Sequence, residues 1–160
     1  MAFVTGLDAT LKRLEARKKR PREIMSMRIR SVVFALHQQV LAHTPVNTGA
    51  TVVNYIWSMD TPVIETKEPH PDGETRGTNS MPLGVEPRRL ANEQEATETL
   101  MSLDYSYPFR RYYMTNTSEA IMGLEAGLLP IDPHFTPRSP HGMVGLSVAY
   151  VHALMEAGQL

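Results

Sequence analysis

The chain has 160 residues, 42% hydrophobic and 21% charged, which suits one packed domain and excludes a wholly disordered chain. Cysteine is absent, so disulfides, thiolate metal sites and cysteine nucleophiles are excluded. Sixteen Lys+Arg against 17 Asp+Glu leave a formal charge of -1, which argues against a uniformly basic nucleic-acid binder.

Residues 1–44 are expected to form an N-terminal helical segment. Leu7, Leu11 and Leu14 recur at helical spacing, and Pro21 is expected to end this first helix. A second helix carries Met25, Ile29, Val32, Val33, Leu36 and Val40 on one stripe, and Thr44-Pro45 should stop it. Pro45, Asn47, Thr48 and Gly49 form a turn. Val53, Tyr55, Trp57 and Met59 then alternate with smaller or polar residues, as in a strand. Residues 60–87 hold five prolines and three glycines, which predicts an extended loop.

Residues 88–103 read as a helix with Leu90, Thr97, Leu100 and Met101 on one side. The tyrosine-rich stretch 105–117 reads as a strand, suited to core packing or to an interface. One or two helical turns are expected within 118–126. Residues 127–140 hold four prolines and form a second extended loop. Ser139-Pro140 reads as the N-cap and first residue of a last helix, although Val144, Leu146, Val148 and Tyr150 also fit a strand. Runs of helices and strands in this order predict a single α+β domain over 1–160, with N-terminal helices, a small antiparallel sheet or sandwich, and one or two further helices.

Chemistry is sparse. The six histidines stand at 37, 43, 70, 134, 141 and 152. Neither the His37/His43 nor the His134/His141 spacing suits a helical metal pair, and for His134 and His141 polar loop residues near prolines are the plainer reading. No G-x-S-x-G, P-loop or G-x-G-x-x-G occurs. The Glu93/Glu95 and Glu95/Glu98 pairs read as a solvated acidic helix face. No enzymatic activity, catalytic residue, cofactor or metal is expected. The longest apolar run, Val32 to Leu36, is too short for a membrane span, and no signal peptide is visible. A soluble chain made in a cytoplasm is expected.

The small net charge hides a division. Residues 1–30 carry nine Lys+Arg and three acids, a surplus of six. The other 130 residues carry seven bases and fourteen acids, a deficit of seven. Lys12, Arg13, Arg17, Lys18, Lys19, Arg20 and Arg22 thus form a candidate charged interface. Three readings apply: a solvated helix face, phosphate contact with nucleic acid, or head-to-tail packing against a neighbour's acidic face.

Two segments carry a resemblance. The first is Thr44-Pro45-Val46-Asn47-Thr48-Gly49, after an amphipathic helix and before Asn54-Tyr55. The second is Leu124-Glu125-Ala126-Gly127, followed by Ser139-Pro140-His141-Gly142-Met143-Val144. In this order they resemble the tail-completion or neck proteins of tailed bacteriophages, in which the segments usually read T-P-V-D-T-G, then L-E-x-G and A-P-x-G-M-V. The resemblance spans roughly residues 5–155. Asn47 stands where that family usually has Asp, Ala50 and Val52 stand where Arg is common, and both Pro-rich loops are longer than usual.

The resemblance implies a structural virion protein, a ring subunit at the head-tail junction that joins or seals the DNA-filled head to the tail. It implies sixfold self-assembly ahead of twelvefold. The implied partners are the portal or head-tail connector and the tail or tail-terminator proteins. Double-stranded DNA would pass through the channel without sequence specificity, and no membrane is involved. The expected places are the virion's head-tail interface and, during assembly, the host cytoplasm. The alternative is a nucleic-acid-binding module using the basic N-terminal helices.

Overall fold

The computed structural model describes residues 2–44, 50–69, 85–128, 139 and 141–160. The fold is α+β. Its elements in order are α1 (Ala2–His43), α2 (Ala50–Val53), β1 (Ile56–Met59), α3 (Val85–Met101), β2 (Tyr112–Thr115), α4 (Ile121–Glu125) and α5 (Val144–Glu156).

One helix stands where two were expected, because α1 runs through Pro21. A proline inside a helix forfeits one backbone bond and crowds the preceding turn. The flanking Leu, Glu, Ala, Arg, Lys and Met residues are good helix formers, and they carry the helix across that local cost. The C-terminal half of α1 is covered. Val33, His37, Val40 and Leu41 are buried, whereas every residue from 8 to 25 is exposed.

The predicted strand over 53–59 is a helical turn followed by a shorter strand. Val53 closes α2, and β1 pairs antiparallel with β2 in the register Ile56–Thr115 to Met59–Tyr112. These are the two strands found among the described residues. Every residue from 51 to 58 is buried, so the alternation marked neither an inner nor an outer face.

A threonine on α3 joins the other side of β1. Within a helix, threonine tends to bond back to the preceding turn. Thr99 Oγ1 donates to the Ala96 carbonyl and accepts from the backbone N–H of Trp57 at 3.1 Å. The inward residues of α3 are Asn92, Ala96 and Leu100, not the expected Leu90 and Met101, which lie exposed. Val40, Leu41, Val52, Tyr55 and Ala96 form one core cluster, and Val33, Trp57 and Leu100 form a second.

Of the expected 60–87 loop, residues 85–87 instead open α3, and residues 60–69 are pinned. Asn54 is buried and presents its amide as a strand would. Its Oδ1 accepts from the Lys67 N–H at 2.7 Å, and its Nδ2 donates to the carbonyls of Lys67 and Ala50. Thr115 and Thr117 donate to the carbonyls of Val63 and Glu65. Asn54→Ala leaves these buried groups unpaired and should cost about 2 kcal/mol. Denaturant unfolding reads that loss, and limited proteolysis should show faster cutting within 61–69. An unchanged digestion pattern would contradict the pinning role.

Of the tyrosine-rich stretch 105–117, expected as a strand, Tyr112–Thr115 forms β2 and the residues before it form turns. Tyr105 stacks on Tyr112 with ring centroids 5.5 Å apart, whereas Tyr107 and Phe109 lie exposed in the turns before β2.

Candidate functional site: a capped joint between α1, α4 and α5

The helical turns expected within 118–126 are α4. Leu124 is buried, and the helix then ends on Gly127 at φ 69°. The Gly127 N–H donates to the Leu124 carbonyl and the Leu128 N–H to the Gly123 carbonyl, a Schellman ending that calls for a left-handed residue.

Glu125 points away from this ending and into the start of α5. Its Oε2 accepts from the N–H groups of Met143 at 2.8 Å and Val144 at 2.9 Å, and its Oε1 from that of Gly145 at 3.0 Å. One carboxylate thus serves three donors that the helix itself leaves unbonded, at the end where the dipole favours negative charge. Burial alone pushes the carboxyl up, but the three backbone donors together outweigh it and hold Glu125 below its usual range.

Glycine makes the approach feasible. Gly142 has φ 78°, and a Cβ there would stand 2.7 Å from the Glu125 carbonyl oxygen and 2.9 Å from its Oε1. A Cβ at Gly145 would stand 3.3 Å from the same Oε1. Met143, next to Gly142, is fully buried.

Ser139 was expected to cap the last helix. Instead α5 starts at Val144, and the Ser139 hydroxyl donates to the His43 carbonyl at 3.3 Å. The reason is competition: a carboxylate from α4 already holds the first amides of α5. Ser139 therefore ties the end of α1 to the joint. Ser147 adds a second tie. Its hydroxyl proton goes to the Met143 carbonyl, so its oxygen accepts from His43 Nδ1–H at 3.2 Å. Thr44 closes the helix end by donating to the Val40 carbonyl at 2.6 Å. The buried Tyr55 hydroxyl then donates to Thr44 Oγ1 at 3.1 Å, and burial pushes that phenol up to about 12.

Of the residues singled out by sequence, the structure joins Glu125, Gly142 and Met143 directly, flanked by Leu124 and Gly127. Thr44 lies beside them through Tyr55, His43 and Ser139. Pro45, Asn47, Thr48, Gly49 and Pro140 lie outside the described residues. Lys12, Arg13, Arg17, Lys18, Lys19, Arg20 and Arg22 are far from the joint, on the exposed part of α1.

Sequence reasoning missed a second polar centre. His37, given no role of its own by the sequence, is 2% exposed inside α1. The Trp57 indole N–H donates to His37 Nδ1 at 3.1 Å. The ring proton therefore sits on Nε2, which donates to Thr97 Oγ1 at 3.0 Å, and Thr97 donates to the Glu93 carbonyl. Burial lowers the imidazole to about 4. The chain's single tryptophan stands on β1, 20 positions along, and no local pattern marks it as this partner.

Among the described residues, no three His, Asp or Glu gather as metal ligands, and no helix is long and apolar enough to cross a membrane. His134 lies outside them, and His141 is exposed. Compared with protein-family models, curated proteins and solved structures, the chain matches none.

Proposed function

We propose that the chain is a structural virion protein of a tailed bacteriophage, a neck or tail-completion ring subunit. It joins or seals the DNA-filled head to the tail, and it acts by fit rather than by bond-making. The observation that carries this reading is the joint. The two halves of the second motif meet through Glu125, and its described residues Leu124, Glu125, Gly127, Gly142 and Met143 each have a definite physical part there. Thr44, the start of the first motif, stands at the same place. A rigid joint of this kind supports loops that dock partners.

The partners are further copies of the chain in a ring, sixfold in preference to twelvefold, the portal or head-tail connector, and the tail or tail-terminator proteins. Double-stranded DNA passes without sequence specificity. The chain works at the head-tail interface of the virion, after assembly in the host cytoplasm. Deleting the gene from the phage should leave DNA-filled heads and finished tails unjoined, and adding the purified chain should restore joined particles. Joined, infective particles made without it would contradict the reading.

The exposed basic part of α1 favours a second reading, a nucleic-acid-binding module. That reading expects duplex binding that weakens steeply with salt and disappears when residues 1–30 are deleted. Absence of binding at low salt would end it.

A further inference from the structure

An amphipathic helix owes most of its stability to whatever covers its apolar face. Residues 8–25 of α1 span about 27 Å at 1.5 Å per residue, and all are exposed. Leu11 is 49% exposed, Leu14 47% and Met25 43%. Their spacing continues the stripe of Ile29, Val33 and Leu36 that packs into the core further along the same helix. Beside this stripe lies an open groove of about 610 Å³. On this face of the one helix, Ala16, Pro21, Ile24 and Met25 alternate with Arg17, Arg20 and Arg28.

An exposed face on which apolar side chains alternate with three guanidinium groups suits a partner surface on which apolar side chains alternate with carboxylates. Phosphates alone would satisfy the arginines and leave the apolar side chains in water. A second copy of the same arm would bring like charges together. The acidic body of the chain has what is needed. Residues 90–104 carry Glu93, Glu95, Glu98 and Asp104 and no basic residue. On α3, Leu90, Gln94, Glu98 and Met101 form an exposed row at helical spacing.

We propose that the basic arm of α1 in one subunit docks on the outer face of α3 in a second copy of the chain. The two surfaces differ, so the contact is head-to-tail and propagates until its rotation closes a ring. This rests on the self-assembly in the reading above and names the surfaces that make it.

The chain lacks cysteine, which makes cross-linking clean. Under mild oxidation, the double variant Arg20→Cys/Glu98→Cys should give a ladder of covalent oligomers, and Arg20→Cys alone should give no dimer. Arg17→Glu/Arg20→Glu should weaken self-association about tenfold or more, and adding Glu98→Arg/Asp104→Arg should restore it. Dimers from Arg20→Cys alone would overturn the proposal in favour of arm-to-arm pairing. So would a monomer that binds duplex DNA through residues 1–30. An oligomer by native mass without the ladder would overturn this contact and leave the ring reading intact. Failure to assemble together with failure to join heads and tails would remove both.

Discussion

Gly142→Ala is expected to destabilise the chain by about 3 kcal/mol. A side chain at φ 78° costs about 1 kcal/mol, and the new Cβ meets a backbone carbonyl at 2.7 Å that cannot rotate away. Relieving that contact moves Glu125 off the amides of Met143, Val144 and Gly145, so the cap weakens as well. Glu125→Ala should cost about 2 kcal/mol through the same three donors. Glu125→Gln should cost less, because one acceptor oxygen remains. Chemical denaturation of the three variants should therefore rank them alanine at 142, alanine at 125, then glutamine at 125. A neutral Gly142→Ala would show that the joint is not held as described. The cap also carries a pH dependence. Glu125 is held below its usual range in the folded chain, so its contribution is complete above the ordinary carboxylate range and is lost as pH falls through the folded value.

The second large effect is expected from His37. Its folded value of about 4 lies below the ordinary 6.5, so the unfolded chain binds the proton more readily. Its contribution to stability is complete above about pH 6.5 and drains away as pH falls towards 4. The full loss is about 3 kcal/mol, at 1.36 kcal/mol per unit. Protonation gives Nδ1 a hydrogen that faces the Trp57 indole N–H, so the bond between them is broken. The chain has one tryptophan, so its fluorescence should report this step without interference. An NMR titration of the His37 ring in the folded chain should show no protonation near pH 6.5. A midpoint at 6.5 with unchanged tryptophan fluorescence would contradict the network.

Helical spacing made the covered half of α1 legible in the sequence, and the presence of α3 though not its inward face. It failed where one residue's preference met its neighbours. Pro21 marks a helix end in isolation, but favourable residues on both sides carry α1 across it. The alternation over 53–59 marked a strand, yet both faces are buried and the first part is helical. The last helix was legible and its cap was not. Ser139 is the better cap by local rules, and only the fold brings Glu125, fourteen positions earlier, onto the first amides of α5. The motif marked Glu125, Gly142 and Met143 but carried no sign of what each does. His37, Trp57 and Thr97 lie 20 and 60 positions from one another along pairs of contacts that no local pattern encodes.

Electron microscopy of the assembled particle, with a label on this chain, tests the proposed function most directly. The account expects a closed ring of labelled subunits between the portal and the tail, with α1 of each subunit lying on α3 of its neighbour. Label on another part of the particle, or a junction formed without this chain, would contradict it.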